Sequence, residues 1–221
     1  MIIFESFRRA LNFIQKIRIR FTKSGEIRFI SHHDLMKVFE RAIRRASIPV
    51  AMSQGFNPHP KMSIPMALGV GIAGKEEILE LELQEPMPFE LLAGRLGKQL
   101  PREIQILSTE TISGLPKSHV CDVTYEVVFK ESDVLETLKI NEFLQQSAVI
   151  VNRIKDESQK PFDIRPSIQD IAITQTSLIF TVKTTPAGMA RPEEVLHALL
   201  VDEKKELFEI TRTKVNLLSS A

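Results

Sequence analysis

At 221 residues, 43% hydrophobic and 26% charged, the chain has the make-up of a globular protein, with room for one large domain or two of about 100 residues. One cysteine, Cys121, excludes an internal disulfide and any cysteine-only zinc or iron–sulfur site in this chain, and it points to a reducing, cytoplasmic setting. Net charge is only +1, yet residues 1–61 hold 12 Lys+Arg against 4 Asp+Glu, so the N-terminal quarter faces either an external anion or the more acidic remainder of the chain.

Residues 1–15 read as an extension or a packing helix. Glu5, Arg8 and Arg9 interrupt any apolar run, and no stretch approaches the ~20 residues of a membrane span, so neither a signal peptide nor a membrane contact is expected. From Lys16 to Thr22 the chain alternates, Ile17, Ile19 and Phe21 opposing Lys16, Arg18 and Arg20, which predicts a half-buried strand. Ser24-Gly25 turns it, and Ile27–Ile30 is read as continued extended chain.

Ser31 has the form of a helix N-cap, with Asp34 three positions on as a short-armed capping box. Leu35, Phe39, Ala42 and Ala46 then share one helical face, Lys37, Arg41, Arg44 and Arg45 the opposite one, and Pro49 ends the helix. Two histidines, His32 and His33, stand at the helix start. Helix-end amides attract anions, and imidazole suits proton transfer near neutral pH. Capping accounts for Ser31 and Asp34, which are therefore read as structural.

Residues 53–61, Ser-Gln-Gly-Phe-Asn-Pro-His-Pro-Lys, are the part least explained by folding. Each proline biases the residue before it toward extended backbone, so the segment is expected to be a stiff ribbon. Phe56, Pro58 and Pro60 would lie on one side of it and Asn57, His59 and Lys61 on the other, after a turn at Gly55. Gln54, Asn57 and Lys61, with Arg41, Arg44 and Arg45, are the candidate substrate-binding residues, and His59 and His32 the candidate acid–base pair. The rival reading is a rigid proline loop with Asn57 bonded to its own backbone. A metal site from His32 or His33, His59 and Asp34 has no tight spacing behind it, and none is assigned.

Further strands are predicted near Val50–Ser53, at Ile78–Leu83 and at Glu103–Leu107, with a helix from Pro88 to about Leu100 between the last two. Glu80 and Glu82 alternate outward and can pair with Arg18 and Arg20 if the strands are neighbours. Ser113-Gly-Leu-Pro116 reads as a linker. The pattern then restarts: a strand at Val123–Phe129, a helix at Asp133–Gln146, strands at Val149–Ile154 and Leu178–Val182, a helix opened by Arg191-Pro192-Glu193-Glu194, and a strand at Phe208–Val215. The fold class is α+β, two tandem ferredoxin-like (split β-α-β) units with antiparallel sheets: an extension at 1–15, a first domain at 16–112, a linker at 113–119 and a second domain at 120–221.

Three segments carry a resemblance. Lys23-Ser-Gly-Glu-Ile-Arg-Phe-Ile-Ser-His-His-Asp-Leu-Met-Lys37, Phe39-Glu-Arg-Ala-Ile-Arg-Arg-Ala46 and Ser53-Gln-Gly-Phe-Asn-Pro-His-Pro-Lys-Met-Ser63 resemble the bacterial radical-SAM-linked domain family, with Asp163-Ile-Arg-Pro166, Gly188 and Arg191-Pro192 similar to its second-half motifs. Members of that family are found fused behind, or encoded beside, cobalamin-binding radical SAM proteins. The resemblance implies a radical SAM protein as partner, with the iron–sulfur cluster, S-adenosylmethionine and cobalamin held there and no cofactor here, since no C-x-x-x-C-x-x-C run exists in this chain. Where the family has one histidine followed by leucine, this chain has His32-His33.

Three functions follow as expectations. The first is an accessory or substrate-binding module working with that enzyme on RNA, with Arg41, Arg44, Arg45 and Lys61 on phosphate. The second is a stand-alone RNA-processing or RNA-modifying enzyme using His59 and His32 in acid–base chemistry. The third is a purely structural interaction domain.

Overall fold

The computed structural model describes residues 15–112, 118–130, 138–155, 158–199 and 208–218. The predicted N-terminal helix, the linker at 113–116 and the first part of the helix expected from Asp133 lie outside these residues. The protein is a mixed α+β structure, with four α-helices among the described residues, and every strand pairing described below is antiparallel. It divides into two compact units, one running to His119 and the other spanning Val120–Leu218.

In the first unit, strand β1 (Gln15–Lys23) is flanked by β3 (Ala73–Leu83) and β4 (Ile106–Ile112), and the short β2 (Met62–Ser63) lies on β3. The alternation in β1 does what alternation requires. Ile17, Ile19 and Phe21 are buried, while Lys16, Arg18 and Arg20 sit on the other face. Helices α1 (His32–Arg45) and α2 (Phe89–Gly97) place Leu35, Phe39, Ala42, Ile43, Leu92 and Leu96 in the same core as Leu79, Leu81 and Leu83. The Phe21 and Phe39 rings meet edge to face, 4.8 Å between centroids.

Three expectations fail here. The strand expected near Val50–Ser53 is reduced to isolated bridges at Val50 and Met52, and the strand in that place is β2. Residues Gly25–Phe29 form a 3-10 turn rather than extended chain. Its carbonyls are satisfied from beneath, as Lys23 Nζ donates to the backbone oxygens of Arg28 (3.2 Å) and Ile30 (3.1 Å). Strand β4 starts at Ile106, because the chain at Glu103–Ile104 still turns, with Ile104 N–H bonded to the Pro101 carbonyl.

The second unit has the strand order β10-β5-β9-β8, with β5 at Val120–Phe129, β8 at Ile168–Ile173, β9 at Ser177–Lys183 and β10 at Phe208–Leu217. Helices α3 (Ile140–Gln145) and α4 (Pro192–Leu199) bury Phe143, Val195, Leu196 and Leu199. The segment expected as this unit's second strand is instead half of a separate hairpin, β6 (Ile150–Lys155) with β7 (Ser158–Asp163), and the sheet strand in that place is β8. Periodicity could not separate these choices, since both are extended.

Candidate functional site

The ribbon at 53–61 is not straight. The chain leaves β3 where Ala51 N–H donates to the Glu82 carbonyl (2.7 Å), and it returns where Glu82 N–H donates to the Lys61 carbonyl (3.0 Å). Lys61 N–H closes on the Ala51 carbonyl at 2.7 Å, so nine residues are inserted into a single register position. Met52 and Pro60 bridge antiparallel, Ser53 N–H donates to the His59 carbonyl (2.8 Å), and His59 N–H donates to Ser53 Oγ (2.9 Å). The product is a closed finger, residues 52–60.

Gly55 sits at φ +128, a conformation that disfavours side chains, and this bends the tip. Only Pro60, at the base, is buried; Gln54 through His59 are all exposed. Phe56 is fully exposed, at 105% of its reference area. The expected two-sided ribbon therefore does not form. Pairing between the two arms, absent from any local reading, decides the shape.

Lys61 and the strand cations are spoken for. Lys61 Nζ lies 3.2 Å from Glu82 Oε2, and Lys16 Nζ 3.6 Å from Glu82 Oε1. Arg18 bridges Glu80 and Glu110, each at 3.0 Å, while Ser118 Oγ also donates to Glu80. Arg20 reaches Glu76 at 3.4 Å. On the α1 face, Arg44 pairs with Glu40 at 2.7 Å, Lys37 with Asp34 at 3.7 Å, and Arg45 donates to both the side chain and the carbonyl of Gln99. Arg41 is exposed with no ion pair among the described residues.

At the other end of α1, Ser31 caps the helix, accepting from Asp34 N–H at 3.1 Å and donating to Asp34 Oδ2 at 2.7 Å. The Ser31 hydrogen bond, with the nearby Lys37 and His33 charges, holds the Asp34 carboxyl below its ordinary value. His33 is exposed, and His32 is half-buried with its Nδ1 enclosed. Beneath lie two charged groups that the sequence reading passed over, Lys23 at 0% and Glu77 at 2% exposure. The signal was present, since Lys23 continues the inward series of Ile17, Ile19 and Phe21. The Glu77 side chain lies so close over Gly74 that an added Cβ would stand 2.5 Å from its Cγ.

These places are far apart. Lys23, which holds the chain entering α1, pairs with Gly74, whereas the finger roots at Glu82. The eight residue steps from Gly74 to Glu82 span about 26 Å of strand. No hydrogen bond or ion pair among the described residues joins 54–59 to His32–Asp34. His32 and His59 therefore belong to segments rooted at opposite ends of β3, with no hydrogen bond or ion pair between them among the described residues. Nor do the described residues hold any group of three or more His, Cys, Asp or Glu placed for a metal. No described helix is long and apolar enough to cross a membrane.

The second-half motif residues converge on hairpin β6–β7. Arg153 donates through Nε to Glu194 Oε1 (2.7 Å) and through Nη2 to Glu194 Oε2 (2.6 Å) and the Met189 carbonyl (2.8 Å). Its guanidinium stacks 3.5 Å above the Phe162 ring, which also covers Gly188. Arg191 N–H caps Glu194 at 2.8 Å, and Asp163 Oδ1 accepts from the backbone of Val149 and Arg165. Burial pushes the Glu194 carboxyl up, but the Arg153 hydrogen bonds, the Arg191 N–H and their charges outweigh it and hold the carboxyl below its ordinary value. These residues serve the fold.

Among curated proteins none matches this chain. A solved structure titled "Crystal Structure of an Unknown Protein from Galdieria sulphuraria" is 16% identical and covers 94% of this chain and 100% of its own, but its TM-score of 0.28 is too low to carry an argument. A family model does match, over residues 16–192. The chain belongs to the family described as "Uncharacterized protein conserved in bacteria (DUF2344)".

Proposed function

We propose that the chain is an accessory, partner-binding module of a cobalamin-binding radical SAM enzyme acting on RNA, and that the finger at 52–60 meets the partner. One observation carries this. A loop closed by its own backbone hydrogen bonds and stiffened by two prolines holds a large aromatic ring wholly in water. Burying a Phe ring is worth about 2 kcal/mol or more, so a chain that spends backbone order to keep one exposed has a surface to bury it against. The family resemblance supplies the partner class. The iron–sulfur cluster, S-adenosylmethionine and cobalamin belong to the partner in this reading, and the pair works in the cytoplasm.

RNA enters as the partner's substrate rather than through a basic face here, since the ion pairs above consume most of the cations. Arg41, exposed and without an ion pair among the described residues, and Arg45, bonded only to the uncharged Gln99, are left for a phosphate. We also propose that each unit is ferredoxin-like. Its support is the strand order, β4-β1-β3 with β2 on β3 and β10-β5-β9-β8, which sets the first and third strands of each unit side by side.

Titration against a purified cobalamin-binding radical SAM protein from the same genome tests the reading, with the partner's S-adenosylmethionine cleavage followed in parallel. A saturable complex and a changed turnover are expected. If neither appears, the accessory role is lost. Tight, strongly salt-dependent binding of single-stranded RNA by this chain alone would favour a direct RNA role instead.

A further inference from the structure

We infer that the finger docks by inserting the Phe56 ring into an apolar pocket of the partner protein whose rim is polar and uncharged, so that the association is insensitive to salt. The inference rests on the reading of the chain as a partner-binding module and adds the chemistry of the contact.

The charge around the ring comes first. Residues 53–60 contain no Asp, Glu, Lys or Arg. The adjoining cation, Lys61, is held by Glu82, which also holds Lys16. The finger therefore offers a charged partner surface no carboxylate, ammonium or guanidinium, and a phosphate only the exposed His59 imidazole. That sets the finger apart from a base-stacking platform, in which aromatic rings are backed by a cationic groove.

Shape and ordering come next. Ring insertion costs affinity when the loop must be ordered first. Here the ordering is already complete: the Ser53–His59 bonds close the base, the prolines at 58 and 60 restrict the arm, and Gly55 at φ +128 turns the tip. Gln54 and Asn57 flank the ring, both exposed, and their amides offer donors and acceptors without charge. The complementary surface is accordingly a pocket sized for one aromatic ring, bordered by backbone amides, hydroxyls or carboxamides.

The chain contains no tryptophan, so Phe56→Trp installs a single indole reporter at the tip. Titrated with the same purified radical SAM protein, and corrected by the same titration of the unsubstituted chain, its emission should shift to the blue and become protected from acrylamide. Phe56→Ala should weaken binding about 30-fold or more, the size of a hot-spot truncation, with Phe56→Leu recovering part of the loss. Affinity at low and high salt should agree within about twofold. Equal affinity for Phe56→Ala, or an indole still open to acrylamide in the complex, overturns the inference and removes the finger as the contact, leaving only a module that binds elsewhere; steep weakening by salt overturns the inference alone. Saturation of the indole signal by a single-stranded RNA oligonucleotide, or a blue shift that grows with this protein's own concentration, overturns it in favour of base stacking or of a second copy. If the unsubstituted chain fails to bind that radical SAM protein, both this inference and the reading beneath it fall.

Discussion

Two loops leave the sheets of this protein as hairpins, and they spend their side chains in opposite ways. In the second unit the β6–β7 hairpin is fixed through one face. Arg153 is bonded to Glu194 and the Met189 carbonyl and stacked on Phe162, and Asp163 is occupied by two backbone N–H groups. In the first unit the finger is closed almost wholly through its backbone, and its tip side chains contact nothing by hydrogen bond or ion pair among the described residues. In sequence the finger stands out for Gly, Asn and two prolines, and the hairpin for one proline and a run of charged and polar residues. What tells them apart is where the polar atoms go, because a group already satisfied inside the fold has little left for a partner.

The comparison breaks most sharply at Arg153. Removing it leaves Glu194, only 14% exposed, without its cation and strips the stacked guanidinium from Phe162. Arg153→Ala should cost about 3 kcal/mol in denaturant-induced unfolding followed by circular dichroism. Next comes Gly188, at φ +126 with the Phe162 ring 3.6 Å from where a Cβ would stand. Gly188→Ala strains its backbone, because that φ disfavours a side chain even though the ring stands at ordinary contact distance, and a loss of about 1–2 kcal/mol is expected in the same experiment.

Acid tests the same clamp without mutation. The Glu194 carboxyl is depressed in the folded protein, so its contribution is fully present above the unfolded value, near 4.3, and drains away as pH falls toward the lower folded value. Melting temperature followed from about pH 6 to about pH 3 should fall more steeply for the unsubstituted protein than for Arg153→Ala, which has already lost the pairing. Parallel curves would mean that the clamp does not sense protonation.

The sequence made the regular parts of this contrast readable and concealed the pairings. Local alternation exposed β1, and its arginines meet Glu80 and Glu76 across the strand pair because opposite charges at neighbouring positions neutralise an open sheet face. The Ser31 cap was legible because its hydrogen bond is local. Lys23 was missed because a cation in an inward register looks like the end of a strand, and only the folded 3-10 turn reveals the carbonyls that receive it. The finger and the β6–β7 hairpin depend on which extended segment finds which, and no periodicity encodes that. Phe56 had a signal of its own: an aromatic ring set among Gly, Asn and Pro, with no apolar periodicity that could bury it.

A glycine pair sharpens the contrast at lower energy. Gly55 and Gly188 share nearly the same positive φ, but nothing lies within 4 Å of a Cβ placed on Gly55. The exposed tip can relax where the covered loop cannot, so Gly55→Ala should cost less than about 1 kcal/mol in unfolding. Its larger consequence should be on partner affinity, because the relaxed tip aims the ring elsewhere.

The smallest expected effect on stability is the most informative. Phe56 is the largest apolar side chain in the finger and is fully exposed, so its removal deletes no packing and uncovers no buried polar group. Phe56→Ala should leave the unfolding free energy within about 0.5 kcal/mol of the original, as for surface positions generally. A loss above about 1 kcal/mol would mean that the ring packs against this chain after all, and the finger would then belong with the β6–β7 hairpin as a device of the fold. An unchanged stability leaves the ring without an internal use, which is the condition under which an external one has to be sought.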